Sequence, residues 1–95
     1  MIKKAYEKPR EVEYIEFKGR ENLKEVCDFI GEDHPLFTRV DGKEYLVLNY
    51  FVNNLQDIRL KVGTIFLRWY DTEYLEMKWI FMNKKEFFEK YGNIN

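Results

Sequence analysis

The stretch IRLKVGTIFLRWYDTEYLEMKWIFM, Ile58 to Met82, decides the fold. It reads as three extended runs. In the first, Ile58, Leu60 and Val62 alternate with Arg59 and Lys61. In the second, Ile65, Leu67 and Trp69 alternate with Phe66 and Arg68. In the third, Leu75, Met77, Trp79 and Phe81 alternate with Glu76, Lys78 and Ile80. A period of two puts one face of a pleated layer in the core and leaves the other wetter. The polar loop Tyr70-Asp71-Thr72-Glu73-Tyr74 joins the last two runs and predicts an antiparallel hairpin. The rest of the chain is expected to cover the apolar face of this sheet.

Working outward, Glu11 to Phe17 reads as a strand, entered through Pro9, which biases Lys8 toward extended geometry. Gly19 breaks it. Glu21 to Ile30 follows as a helix, with Leu23, Val26, Cys27 and Ile30 on one stripe, Asn22 as N-cap and Gly31 as terminator. Leu36 to Val40 and Glu44 to Val52 flank Asp41-Gly42, a strong hairpin turn signal. Asn53-Asn54 marks the next turn, and Leu55 to Val62 the next strand. Gly63 reads as a turn or bulge residue. After the last run, Asn83 caps a short helix in which Phe87, Phe88 and Tyr91 dock and which Gly92 ends. The resulting order, β-α-β-β-β-β-β-α, defines an α+β domain spanning 1–95. It has one mainly antiparallel sheet of five to six strands, a helix after the first strand and a short C-terminal helix.

The chain has 95 residues, of which 45% are hydrophobic and 18% aromatic, enough for a core without metal or disulfide staples. Sixteen Lys and Arg against 17 Asp and Glu give a net charge of −1. That argues against direct binding of duplex DNA, which needs clustered positive charge. The single cysteine, Cys27, fits a reducing compartment. No run approaches the ~18 apolar residues that a membrane helix needs, and MIKK is not followed by the apolar core of a signal peptide. A cytoplasmic location without membrane contact is the expectation.

Three patches resemble a family of small phage-encoded proteins. The first is Lys8-Pro9-x-x-Val12-x-x-Ile15-x-Phe17, followed by a short helix ending in Phe29-Ile30-Gly31. The second is Val62-Gly63-Thr64-Ile65-Phe66, which is similar to that family's proline-glycine-aspartate strand entry with Thr64 in place of the acid. The third is Phe87-Phe88-x-x-Tyr91. The resemblance implies a phage or prophage origin and a small non-enzymatic accessory protein in the host cytoplasm. It supplies no catalytic residues.

The residues themselves point to binding. A nucleophile–base pair would have to be Cys27 and His34. Cys27 lies on the buried stripe, and His34 sits in a polar connection with no second histidine or paired cysteine to complete a catalytic or metal set. No catalytic residue, metal ligand or cofactor is assigned. Arg59, Lys61, Arg68 and Lys78 alternate with buried positions, so they are expected to share the outer face of the sheet with Phe66, Tyr70 and Ile80. Basic groups interleaved with aromatic rings can hold phosphates and stack bases. The same strip also reads as a solvated face neutralised by Glu76 and Asp57. Seven Tyr, eight Phe and two Trp exceed what a core this small encloses, which is the composition of an interface.

The leading expectation is a phage accessory protein that inhibits a host defence system by direct protein binding, an anti-CRISPR-type inhibitor. The site would be Arg59, Lys61, Phe66, Arg68, Tyr70 and Lys78. The alternatives are a sponge that sequesters a nucleotide immune signal between the subunits of a homodimer, and a virion or assembly component.

Overall fold

The computed structural model describes residues 1–7, 10–33, 36–52 and 54–93. The expectations for Pro9, for His34 and for Asn53 fall outside the described residues.

Two extended segments open the chain, Lys3–Glu7 (β1) and Arg10–Glu16 (β2), paired antiparallel. A 3-10 turn, Arg20–Asn22, leads into the helix Leu23–Ile30 (α1). Three strands follow: Leu36–Val40 (β3), Lys43–Val52 (β4) and Asn54–Lys61 (β5). Then come Ile65–Asp71 (β6), Glu76–Met82 (β7), the helix Lys84–Lys90 (α2) and a two-residue strand, Gly92–Asn93 (β8). The α+β class and the antiparallel pairing match the expectation. The single sheet does not, because the strands form two sheets, ordered β7-β6-β2-β1-β8 and β3-β4-β5.

The division is made at Val62-Gly63-Thr64. Gly63 takes φ 101°, a left-handed conformation that costs glycine nothing. The Thr64 N–H and hydroxyl both donate to the Lys61 carbonyl, at 3.2 and 2.8 Å, and close the turn. The Gly63 N–H donates to the Phe17 carbonyl and the Phe17 N–H donates to the Thr64 carbonyl, both at 2.8 Å. The chain leaving β5 is therefore captured by the end of β2, and β6 pairs with β2 instead of folding back on β5.

Turn chemistry explains most of the element ends. Asp41 and Gly42 sit at φ 52° and 78°, so both central residues of the β3–β4 hairpin have positive φ, as a tight hairpin requires. Gly31 ends α1 at φ 74°. The Asn83 side chain accepts the Glu86 N–H at 2.7 Å and caps α2. Two local expectations are corrected. Asn22 does not cap α1; its Oδ1 accepts the Lys18 N–H at 2.8 Å and its amide donates to the Glu16 carbonyl at 2.7 Å. Its polar atoms are taken by the loop behind it. Gly92 does not end α2 as a left-handed terminator, because Tyr91 is already extended and Gly92 enters β8.

The five-stranded sheet is covered on both faces. One core gathers Ile15, Phe17 and Phe66 from this sheet, Val26, Phe29 and Ile30 from α1, and Leu46, Leu48 and Leu60 from the three-stranded sheet. The second core lies beneath α2, where Phe87 meets Tyr14 at 4.5 Å and stacks on Tyr91 at 5.3 Å. Phe88, expected to dock, is exposed and meets Phe87 edge-on. Double cover is why Ile65, Phe66 and Leu67 are all fully buried and why the expected alternation fails there.

Cys27 lies buried in the first core. Burial, reinforced by Glu32 and Asp28, pushes its thiol up to about 11. A thiol-reactive probe at neutral pH is expected to leave the native protein almost unmodified and to label it fully in denaturant. Native labelling at the denatured rate would contradict the buried thiol.

Candidate functional site

The six residues expected to share one basic strip fall into three places. Arg59 and Lys61 are exposed on β5 in the three-stranded sheet. Phe66 is fully buried between the two sheets and offers no surface. Arg68 and Tyr70 share a face of β6, but Lys78 stands opposite Trp69 on the other face. The register explains the error: Asp71 pairs with Glu76, so the loop is Thr72–Leu75 and not Tyr70–Tyr74. The parity of β7 relative to β6 is thereby inverted. Of the two neutralising partners expected for the strip, one is misplaced and the other is not described. Glu76 belongs to the other sheet from Arg59 and Lys61, and the Asp57 side chain lies outside the described residues.

Arg68 is committed to the fold. Its Nε donates to Glu13 at 2.9 Å, its Nη1 donates to the Phe29 carbonyl at 3.2 Å, and its guanidinium lies 4.2 Å from the Phe29 ring centre. It therefore fastens the last turn of α1 to the sheet, where a cation also suits the negative end of the helix dipole.

The tip of the β6–β7 hairpin is the most distinctive exposed feature. One Asp71 carboxylate oxygen accepts the Glu73 and Tyr74 N–H groups at 2.9 and 3.2 Å. The other is 2.9 Å from the Lys78 ammonium, which also lies 4.2 Å from the Tyr74 ring centre. The bond from Lys78, joined by the two backbone donors, holds the Asp71 carboxyl below its usual range. On this braced turn Tyr70, Tyr74, Leu75 and Met77 are 53%, 63%, 74% and 52% exposed. Leu75 sits at φ 55°, a conformation that a leucine rarely adopts. The period of two puts Leu75 and Met77 on the buried face, and the structure corrects this. The signal that could have found them is the Asp71-x-x-Tyr74 spacing, which sets a four-residue loop.

A second surface surrounds Lys61. Across the outer face of the three-stranded sheet, Tyr45 stands opposite Lys61, and Val47 stands between Leu36 and Arg59. Beside them a cleft of about 580 Å³ is lined by Lys43, Tyr45, Lys61 and Val62, with the Arg39–Glu44 ion pair at 2.7 Å on its wall. Among the described residues, no group of three or more His, Cys, Asp or Glu is placed to hold a metal ion.

The fold and these surfaces define an α+β protein of two antiparallel sheets with exposed aromatic and basic patches. No helix among the described residues is long and apolar enough to cross a membrane. Comparison with family models, curated proteins and solved structures finds no match.

Proposed function

We propose that this chain is a non-enzymatic phage accessory protein that inhibits a host defence system in the host cytoplasm by binding one of its proteins directly. The contact is the β6–β7 hairpin tip. The observation that carries this reading is the exposed set Tyr70, Tyr74, Leu75 and Met77 on an internally braced turn. Large apolar side chains on a rigid element lose little entropy when they dock, and tyrosine and methionine are enriched at interfaces. Leu75 strengthens the case. A glycine there would relax the backbone, so a leucine held at φ 55° and 74% exposed does not serve the turn. The phage setting rests on the resemblance of the Lys8–Phe17, Val62–Phe66 and Phe87–Tyr91 patches.

The test is Leu75→Gly. Its thermal midpoint is expected to equal or exceed that of the parent, because the turn strain is relieved. Its affinity for a stoichiometric partner recovered from host lysate is expected to fall about tenfold or more, the scale of a central apolar anchor. Unchanged affinity would remove the hairpin tip from the interface. Recovery of no partner by the parent protein would count against the inhibitor reading itself.

A second reading, a sponge for a nucleotide signal held between two subunits, is favoured by Arg59 and Lys61 beside the Tyr45 ring. It requires a thermal shift with cyclic dinucleotides or ADP-ribose derivatives.

A further inference from the structure

The outer face of the three-stranded sheet belongs to a different sheet from the hairpin tip. Strand alternation sends Phe37, Leu46, Leu48, Ile58 and Leu60 into or against the core. The residues between them face outward in rows set by the strand register. Leu36, Val47 and Arg59 form one row; Thr38, Tyr45 and Lys61 form the next; Val40 and Lys43 form the third. Leu36 and Val40 are 48% and 37% exposed, which leaves two apolar spots on this face, one of Leu36 beside Val47 and one of Val40, with the Thr38–Tyr45 row between them. Arg59 and Lys61 stand two residues apart on β5, which places them ~7 Å apart in a column along the edge of the sheet.

Elsewhere among the described residues, some cations are neutralised by carboxylates, and others, such as Lys24 and Lys90, are not. Arg39, Arg68, Lys78 and Lys84 are each within 3.1 Å of a carboxylate oxygen. Among the described residues, Lys43, Arg59 and Lys61 make no ion pair. Unpaired positive charge beside exposed apolar side chains complements a surface that carries opposite charge and apolar side chains of its own.

We infer that this face binds an acidic segment of a protein partner, with its carboxylates on Arg59 and Lys61 and its apolar side chains on Leu36, Val40 and Val47. Nucleic acid fits less well. Among the described residues one ring, Tyr45, faces outward in these rows, whereas single-strand binding uses successive rings that stack bases along a basic track. The inference goes beyond the hairpin reading. It concerns the other sheet and needs no knowledge of the natural partner.

The experiment is a titration of the isotope-labelled full chain, followed by backbone amide NMR. The probes are a short peptide alternating glutamate and leucine, poly-glutamate of equal charge, and an oligothymidylate of equal charge. The expected result is saturable shifts at Leu36, Val47, Arg59 and Lys61 with the alternating peptide, and clearly weaker binding of the other two. An Arg59→Glu, Lys61→Glu double variant, altered only at exposed positions, should bind the alternating peptide about tenfold more weakly. Its spectrum in the free state reports its fold, and Lys61→Gln is the milder substitute should the double variant unfold. Equal binding of poly-glutamate would show charge alone at work and overturn the inference. Tighter binding of the oligothymidylate would reassign the face to nucleic acid. Absence of shifts, or shifts confined to the hairpin tip, would also overturn it. Loss of hairpin binding in Leu75→Gly is a separate result, so either surface can fail without the other.

Discussion

Replacing Phe66 with alanine is expected to remove about 3–5 kcal/mol of stability, the usual cost of emptying a fully buried aromatic site. The ring is fully enclosed and lies 6.1 Å from Trp79 and 6.3 Å from Phe81, measured between ring centres. It belongs to the core that joins both sheets and α1. Neighbours anchored in three different elements cannot all move inward, so a cavity remains. Against a total of about 5–15 kcal/mol for an ordinary domain, the loss is a large fraction of what holds the fold. Urea unfolding should show a midpoint shifted far down with an unchanged slope, and the thermal midpoint should fall by ~12 °C or more. Tyr70→Ala is the matched control, since Tyr70 lies on the same strand face but is 53% exposed. It should change stability by no more than about 0.5 kcal/mol. A Phe66→Ala variant as stable as Tyr70→Ala would mean that the two sheets do not share a core at this point.

Phe66 also shows what the sequence could and could not disclose. Element ends were legible because they depend on local chemistry. Asp41-Gly42 tolerates positive φ, Gly31 tolerates the left-handed end of α1, and Asn83 has a short acceptor for a helical N–H. Strand partnership was not legible. Ile58 to Met82 was read as one sheet because nothing in Val62-Gly63-Thr64 announces that Phe17, far upstream, will capture the turn. β1 was missed because Lys-Lys-Ala-Tyr-Glu lacks an apolar alternation, and β8 because two residues carry no pattern. Phe66 was assigned to the wetter face because alternation assumes one covered face, and here α2 covers one side while α1 and the second sheet cover the other.

The candidate site divides along the same line. Arg59 and Lys61 were placed together from a local period of two, and they share a face as that period requires. Joining them to Arg68 and Lys78 required knowledge of pairing between strands. Arg68 proved to be held by Glu13 and Phe29, residues 55 and 39 positions away. Lys78 was displaced to the opposite face by a loop boundary misjudged at Asp71. Leu75 and Met77 became surface residues through the same boundary.

The second large effect is expected at Gly19, where strand β2 turns toward α1. Its dihedral angles, φ 93° and ψ −155°, lie in a region that is essentially open to glycine alone. A side chain would also meet an obstacle. A Cβ placed on Gly19 would lie 2.3 Å from Glu44 Oε1 and 3.5 Å from Val62 Cγ2. The tip of a glutamate ordinarily swings away at little cost, but this one is held from two sides. Its Oε1 accepts the Arg20 N–H at 3.1 Å and its Oε2 accepts Arg39 Nη2 at 2.7 Å. The bond from Arg39, followed by that from Arg20, keeps the Glu44 carboxyl below the usual glutamate range. Gly19→Ala should therefore cost about 1–3 kcal/mol through the backbone alone. Displacement of the carboxylate adds to that and loosens the tie between the β2–α1 loop and the β3–β4 hairpin. The two contributions separate in a double-mutant cycle with Glu44→Ala, read by urea unfolding. Gly19→Ala should be more damaging in the parent than in the Glu44→Ala background, where the obstacle is gone and the backbone cost remains. Equal losses in both backgrounds would show that the carboxylate yields freely. No loss in either would show that the loop takes another path, and the joint between the two sheets would then not depend on Gly19.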